Sequence, residues 1–103
     1  MKLEFRVGRV ISASVFKDAR QPAYVLHVDF GTNLGVKKSS AQIAALYQPV
    51  DLIGKLVVAV FNLPPKQIGP LMSECLVTGF HNEDGNVTLC VPDQPVPVGT
   101  RLL

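Results

Sequence analysis

The chain has 103 residues, 48% of them hydrophobic, with 10 Lys or Arg against 8 Asp or Glu and a formal net charge of +2. That length fits one domain, 1–103, with enough apolar side chain for a core, and the charge is too small to argue nucleic-acid binding alone. No run approaches membrane-spanning length and Met1–Arg6 lacks the apolar region of a signal peptide, so the expectation is a cytoplasmic protein without membrane insertion.

Phe5 to Phe16 is rich in β-branched residues and reads as a long strand, with Gly8 suited to a bulge or bend. Lys17 to Pro22 is a polar connection. Ala23 to Phe30 alternates: Tyr24, Leu26, Val28 and Phe30 share one face, and His27 and Asp29 the other. After a turn at Gly31-Thr32-Asn33, Leu34 to Lys38 reads as a short third strand. Ser39 to Tyr47 reads as a helix, capped by Ser39 or Ser40, with Ile43, Leu46 and Tyr47 as its apolar stripe and Pro49 ending it. About two turns long, it must pack on a sheet to persist. Leu56 to Phe61 is a fully apolar fourth strand.

That strand runs into Asn62-Leu63-Pro64-Pro65-Lys66-Gln67-Ile68-Gly69-Pro70-Leu71-Met72-Ser73-Glu74, a proline-stiffened basic loop. Lys66 stands at its tip, and Asn62, Gln67 and Ser73 offer neutral hydrogen bonds nearby. Two readings fit: a pre-shaped binding edge, or a strand end followed by solvated chain. Glu74 to Phe80 and Val87 to Val91 then form strands around the hairpin turn Asn82-Glu83-Asp84-Gly85. Pro92 to Gly99 is too proline-rich for a central strand and reads as an extended arm ending in Thr100–Leu103.

Three strands, one short helix, then further strands is the order of an all-β OB-fold, a five-stranded Greek-key barrel with its helix between strands three and four. An SH3-like barrel would lack that helix, and a ferredoxin-like fold would need two longer ones. No catalytic set is present, so the expectation is no enzyme, no metal and no cofactor. His27 and His81 are isolated, and no GxSxG, HExxH or P-loop occurs. Cys75 and Cys90 lack metal-ligand spacing and read as reduced and inert, with a disulfide across a hairpin left open. Lys37-Lys38-Ser39-Ser40 joins a strand to the expected helix start, which suits a phosphate site or an ordinary capped helix beside solvated lysines. OB-folds bind on the outer face of strands two and three. Here that face has no Trp, and Tyr24 and Phe30 point into the core, which disfavours a stacking-driven single-strand binder and favours structured RNA.

The ordered set Val7–Val10, Asp29–Gly31, Leu34–Ile43, Leu52–Lys55, Asn62–Lys66 and Ser73-Glu74 resembles the tRNA-binding-domain family across essentially the whole chain. Gly35–Ile43, Pro64-Pro65 and the short length are most similar to its CsaA-type, export-related chaperones. The resemblance implies an OB-fold core with terminal extensions that build a homodimer. It implies tRNA binding in some members, and in the chaperones binding of unfolded or presequence-bearing polypeptides and of the export ATPase. By motif position it assigns Asn62, Lys66, Ser73 and Glu74 to the family loop and Lys37, Lys38 and Ser40 to its basic segment. Pro70 and Leu71 depart from the pattern, which carries a further basic residue there. The more apolar loop that results suits peptide contact through Ile68, Leu71 and Met72, with Gln67 beside them. The expected function is therefore a homodimeric chaperone. The alternatives are a stand-alone tRNA-binding protein using its basic loops on phosphates, and a module that only oligomerises.

Overall fold

The computed structural model describes residues 2–103. Its organising element is β1 (Phe5–Val15), long enough to serve two neighbours. Phe5–Arg9 pairs antiparallel with β4 (Leu56–Val60), and Arg9–Val15 pairs with β2 (Tyr24–Asp29). The strand passes between them with a register shift between Val10 and Ser12, so the bulge lies there and not at the expected Gly8. Gly8 has a different task. A Cβ on it would stand 2.4 Å from Val28 Cγ1 and 3.0 Å from the Phe30 ring, so the missing side chain lets β1 lie against the core.

β3 (Val36–Ala41) pairs with β2, and β7 (Leu76–Val77) with β4, giving a five-stranded order β3-β2-β1-β4-β7. Two hairpins complete the chain: β5 (Lys66–Ile68) with β6 (Leu71–Ser73), and β8 (Gly79–His81) with β9 (Val87–Leu89). The sheet curls until its outer strands meet. Glu74 N–H and Cys75 N–H both donate to the Lys38 carbonyl, at 2.7 and 3.3 Å, which nearly closes the barrel expected from the sequence.

The inward row of β2 is as its alternation predicts, with Tyr24, Leu26, Val28 and Phe30 all buried. Val10, Val57 and Leu52 are fully buried with them. Each such side chain contributes about 1.5–3 kcal/mol by leaving water.

The short helix does lie between the third and fourth strands, but not where the sequence pattern put it. α1 is Pro49–Leu52. Ser39 to Ala41 continue β3 instead, paired with Leu26 to Tyr24, and Ser39 is fully buried. Cross-strand pairing thus overrides the cap reading of the serines. Pro49 starts the helix, where its missing N–H costs nothing, and Gln48 N–H donates to Asp51 Oδ2 at 3.2 Å. Ile43 is buried but Leu46 is half exposed, so the apolar stripe read as helical is split.

The proline-rich arm folds back on its own chain. Gly99 N–H donates to the Val7 carbonyl, Val7 N–H to the Thr100 carbonyl and Leu102 N–H to the Phe5 carbonyl, covering the edge of β1 that β2 leaves bare.

Candidate binding face

The segment read as a loop from Asn62 to Glu74 is largely the β5–β6 hairpin, turning through Gly69 (φ 55°) and Pro70. It leans on β3, and its last residues fasten it there. Glu74 Oε1 accepts from Lys38 N–H at 2.9 Å, and Ser73 Oγ accepts from Ser40 N–H at 3.2 Å. The Ser-Glu pair thus takes the place of strand hydrogen bonds along the edge of β3. Asn62 is a second fastener: its Oδ1 accepts from Glu4 N–H at 2.8 Å and its Nδ2 donates to the Lys2 carbonyl at 2.7 Å.

The two lysines of the basic segment part company. Lys37 turns to the barrel end, where its Nζ donates to the Phe61 carbonyl at 3.0 Å and lies 3.9 Å from the Phe61 ring centroid. Lys38 faces outward beside His27, its cross-strand partner. No helix N-terminus opens at Lys37–Ser40, because Ser39 and Ser40 lie within β3; that part of the expected phosphate site is absent. Lys66 and Gln67 are exposed on β5, and Gln67 Nε2 donates to the Gly69 carbonyl at 2.6 Å. Ile68 and Leu71 are half-buried, and Met72 is exposed.

Leu71 and Pro70 join Val15, Phe16 and Val25 around a shallow cavity of about 310 Å³. On the other side of the hairpin, Ile68 lines two adjoining hollows of about 510 and 330 Å³. The second is apolar, with Ile43, Leu76, Val77 and Val87 in its wall. Sequence reasoning did not single out this hollow. Its one advance sign is Leu76, an apolar residue on the outward phase of a strand beside buried Cys75.

Burial pushes the Cys75 thiol up to about 12; Glu74 adds to the rise, while Lys37 and a hydrogen bond with Ser39 oppose it. Cys75 and Cys90 are both free. His27 is half-buried, with its Nδ1 enclosed and lacking a hydrogen-bond partner, whereas His81 is exposed with Nδ1 3.0 Å from the Gly85 carbonyl. Among the described residues no cluster of three or more His, Cys, Asp or Glu could hold a metal, and no helix is long and apolar enough to cross a membrane.

Comparison with known proteins places this geometry. Residues 5–101 match the family model described as "Putative tRNA binding domain". The chain is 48% identical to the chaperone CsaA of Bacillus anthracis, with a TM-score of 0.91, covering 98% of this chain and 91% of that one. For the CsaA chaperone protein of Picrophilus torridus the identity is 45% and the TM-score 0.92, over 99% and 92% of the two chains. It is also 33% identical over 103 residues to the methionine–tRNA ligase of Thermococcus onnurineus, and 29% identical over 101 residues to that of Methanocaldococcus jannaschii. The chain spans only 13% and 15% of the length of those two ligases. It belongs to the tRNA-binding-domain family, with the barrel of the CsaA chaperones.

Proposed function

We propose that this member of the tRNA-binding-domain family is a non-enzymatic, homodimeric chaperone of CsaA type that holds unfolded or export-destined polypeptides. The observation that carries the reading is near end-to-end similarity to two CsaA chaperones, at 45% to 48% identity. The ligases, by contrast, are far longer than this chain, which spans 15% and 13% of their length, so their activity is not carried over to it. The apolar side chains displayed around the hairpin fit this role: Leu71 at one cavity, Ile68 at two others, and Met72 exposed on β6. In this reading Lys38, Ser40, Lys66, Gln67, Ile68, Leu71 and Met72 meet the ligand, while Lys37, Asn62, Ser73 and Glu74 shape the surface that does. The export ATPase is a proposed partner by the same analogy.

Structured RNA, tRNA in particular, is the second ligand we propose. Similarity to the synthetase segments supports it, as do exposed Lys66 and outward-facing Lys38. The two activities separate by salt, because phosphate contacts release counterions and apolar contacts do not. The test is fluorescence anisotropy of labelled tRNA and of an unfolded polypeptide across a salt series, each competing with the other. Polypeptide binding that survives high salt, lost on Leu71→Asp or Met72→Asp, supports the chaperone reading. Salt-steep tRNA binding with no affinity for polypeptide refutes it in favour of a tRNA-binding protein. Saturable binding of neither leaves an oligomerisation module. A monomer mass by light scattering at roughly micromolar concentration would refute the dimer.

A further inference from the structure

We propose that the open edge of β3 at Ser40–Gln42 is a strand-addition site for an extended polypeptide with alternating apolar side chains. The proposal rests on the chaperone reading and says where, and by which atoms, such a segment is held.

The main-chain groups of Lys38 and Ser40 point away from β2. Lys38 N–H and Ser40 N–H go to the side chains of Glu74 and Ser73, and the Lys38 carbonyl accepts from Glu74 N–H. The hairpin therefore imitates a neighbouring strand over this stretch, and the imitation stops at Ser40. Beyond it the Ser40 carbonyl meets only Ser39 Oγ, at 3.3 Å, and among the described residues the Gln42 backbone has no hydrogen-bond partner. Unpaired main-chain groups on a strand edge are a template for another chain.

That edge lies on the floor of a groove. Ser40, Gln42 and Ile68 line both the 510 Å³ and the 330 Å³ hollows, so the two are continuous. One end is walled by Ile43, Leu76 and Val87, with Leu76 half exposed to solvent. The other end is mixed, with Ala19 and Ala23 beside Gln21 and one charge of each sign, Asp18 and Arg20. In an extended partner every second side chain faces the same way, so one row would enter the apolar end while the backbone pairs with Ser40 and Gln42. The charge pattern selects the same class of ligand. Neutral main-chain groups and apolar walls match a polypeptide, and the single cation of the groove gives a phosphate backbone little to hold.

The experiment uses the full chain and a labelled peptide of about six residues alternating leucine and threonine, read by anisotropy in high salt. Two further peptides carry N-methyl groups on one alternate set of amides or on the other. Strand addition predicts that one set weakens binding about tenfold or more, through lost hydrogen bonds, and that the other set leaves it unchanged. Leu76→Asp weakens it to a similar degree. Gln42→Pro removes the Gln42 donor where Ala41 is already extended, and its melting temperature checks that it folds. The methylated peptides leave the protein untouched and decide the matter if that variant unfolds. Equal binding by all three peptides, unaffected by Leu76→Asp, overturns the site but leaves the chaperone reading standing. Failure of every unfolded polypeptide to bind anywhere overturns both.

Discussion

Lys37 and Lys66 are both candidate phosphate contacts in sequence, yet they predict opposite behaviour. Lys37 Nζ is committed to the Phe61 carbonyl at 3.0 Å and to its ring at 3.9 Å. A hydrogen bond from a charged donor contributes roughly 1.5–3 kcal/mol and a cation–π contact roughly 0.5–1 kcal/mol, both reduced by the partial exposure of the site. Replacing Lys37 by Met keeps much of the stem and removes both, so a loss of about 2 kcal/mol follows, or about 10 °C in Tm for a domain of this size. Lys66 is exposed and makes no ion pair among the described residues. Lys66→Ala should leave Tm nearly unchanged and lower the slope of log K against log salt for tRNA by about one unit. Calorimetry gives the first quantity and anisotropy the second. If Lys37→Met lowers the salt slope while Tm holds, the assignment of Lys37 to the barrel end is wrong. If Lys66→Ala leaves the slope unchanged, the hairpin does not meet RNA phosphates.

Three further outcomes follow from the packing. Gly8→Ala should cost about 1–3 kcal/mol in urea unfolding by forcing a Cβ onto Val28, and adding Val28→Ala should make the Gly8 substitution cheaper than it is alone. Tyr47→Phe removes the hydroxyl that accepts from Leu89 N–H at 3.0 Å and should cost about 1–2 kcal/mol. Cys75 keeps its proton in the fold up to about pH 12 against an ordinary 9.0, so the unfolded chain binds fewer protons between those values. Stability from this group is intact below pH 9 and declines above it, with a slope approaching about 1.4 kcal/mol per pH unit. Cys75→Ser should flatten that part of the unfolding profile, and in the native protein half-buried Cys90 should alkylate first.

The parts of this fold legible in sequence are those where period and burial agree. β2 alternates cleanly because one face meets the core and the other solvent, and β4 reads as continuous because nearly all of it is buried. The Ser39–Tyr47 stretch misleads because small polar residues serve equally as caps and as strand positions. Only pairing with Leu26 and Tyr24 decides between them. The β5–β6 hairpin stays hidden for a different reason: three residues on each side are too few to show a period, although Gly69-Pro70 marks its turn. The groove beyond Ser40 left only Leu76 as a sign in the sequence, since it is built by residues from β3, both hairpins and β7.

Three of the positions that carry the family resemblance, Asn62, Ser73 and Glu74, fasten the barrel in this structure. Asn62 ties the chain start to the end of β4, and Ser73 and Glu74 bind the hairpin to β3. In this chain those bonds serve the fold whatever ligand it binds. Their presence therefore argues for the fold more strongly than for a ligand. On the proposed function, discrimination between RNA and polypeptide would fall to neighbours outside those bonds: Lys66 and Lys38 for phosphate, and Met72, Leu71 and Leu76 for apolar chain. Exchanging the exposed residues of the hairpin with those of a synthetase-type relative, while keeping Asn62, Ser73 and Glu74, should accordingly move ligand preference without moving the melting temperature. A swap that unfolds the chain instead would mean that fold and ligand choice are not separable in this hairpin.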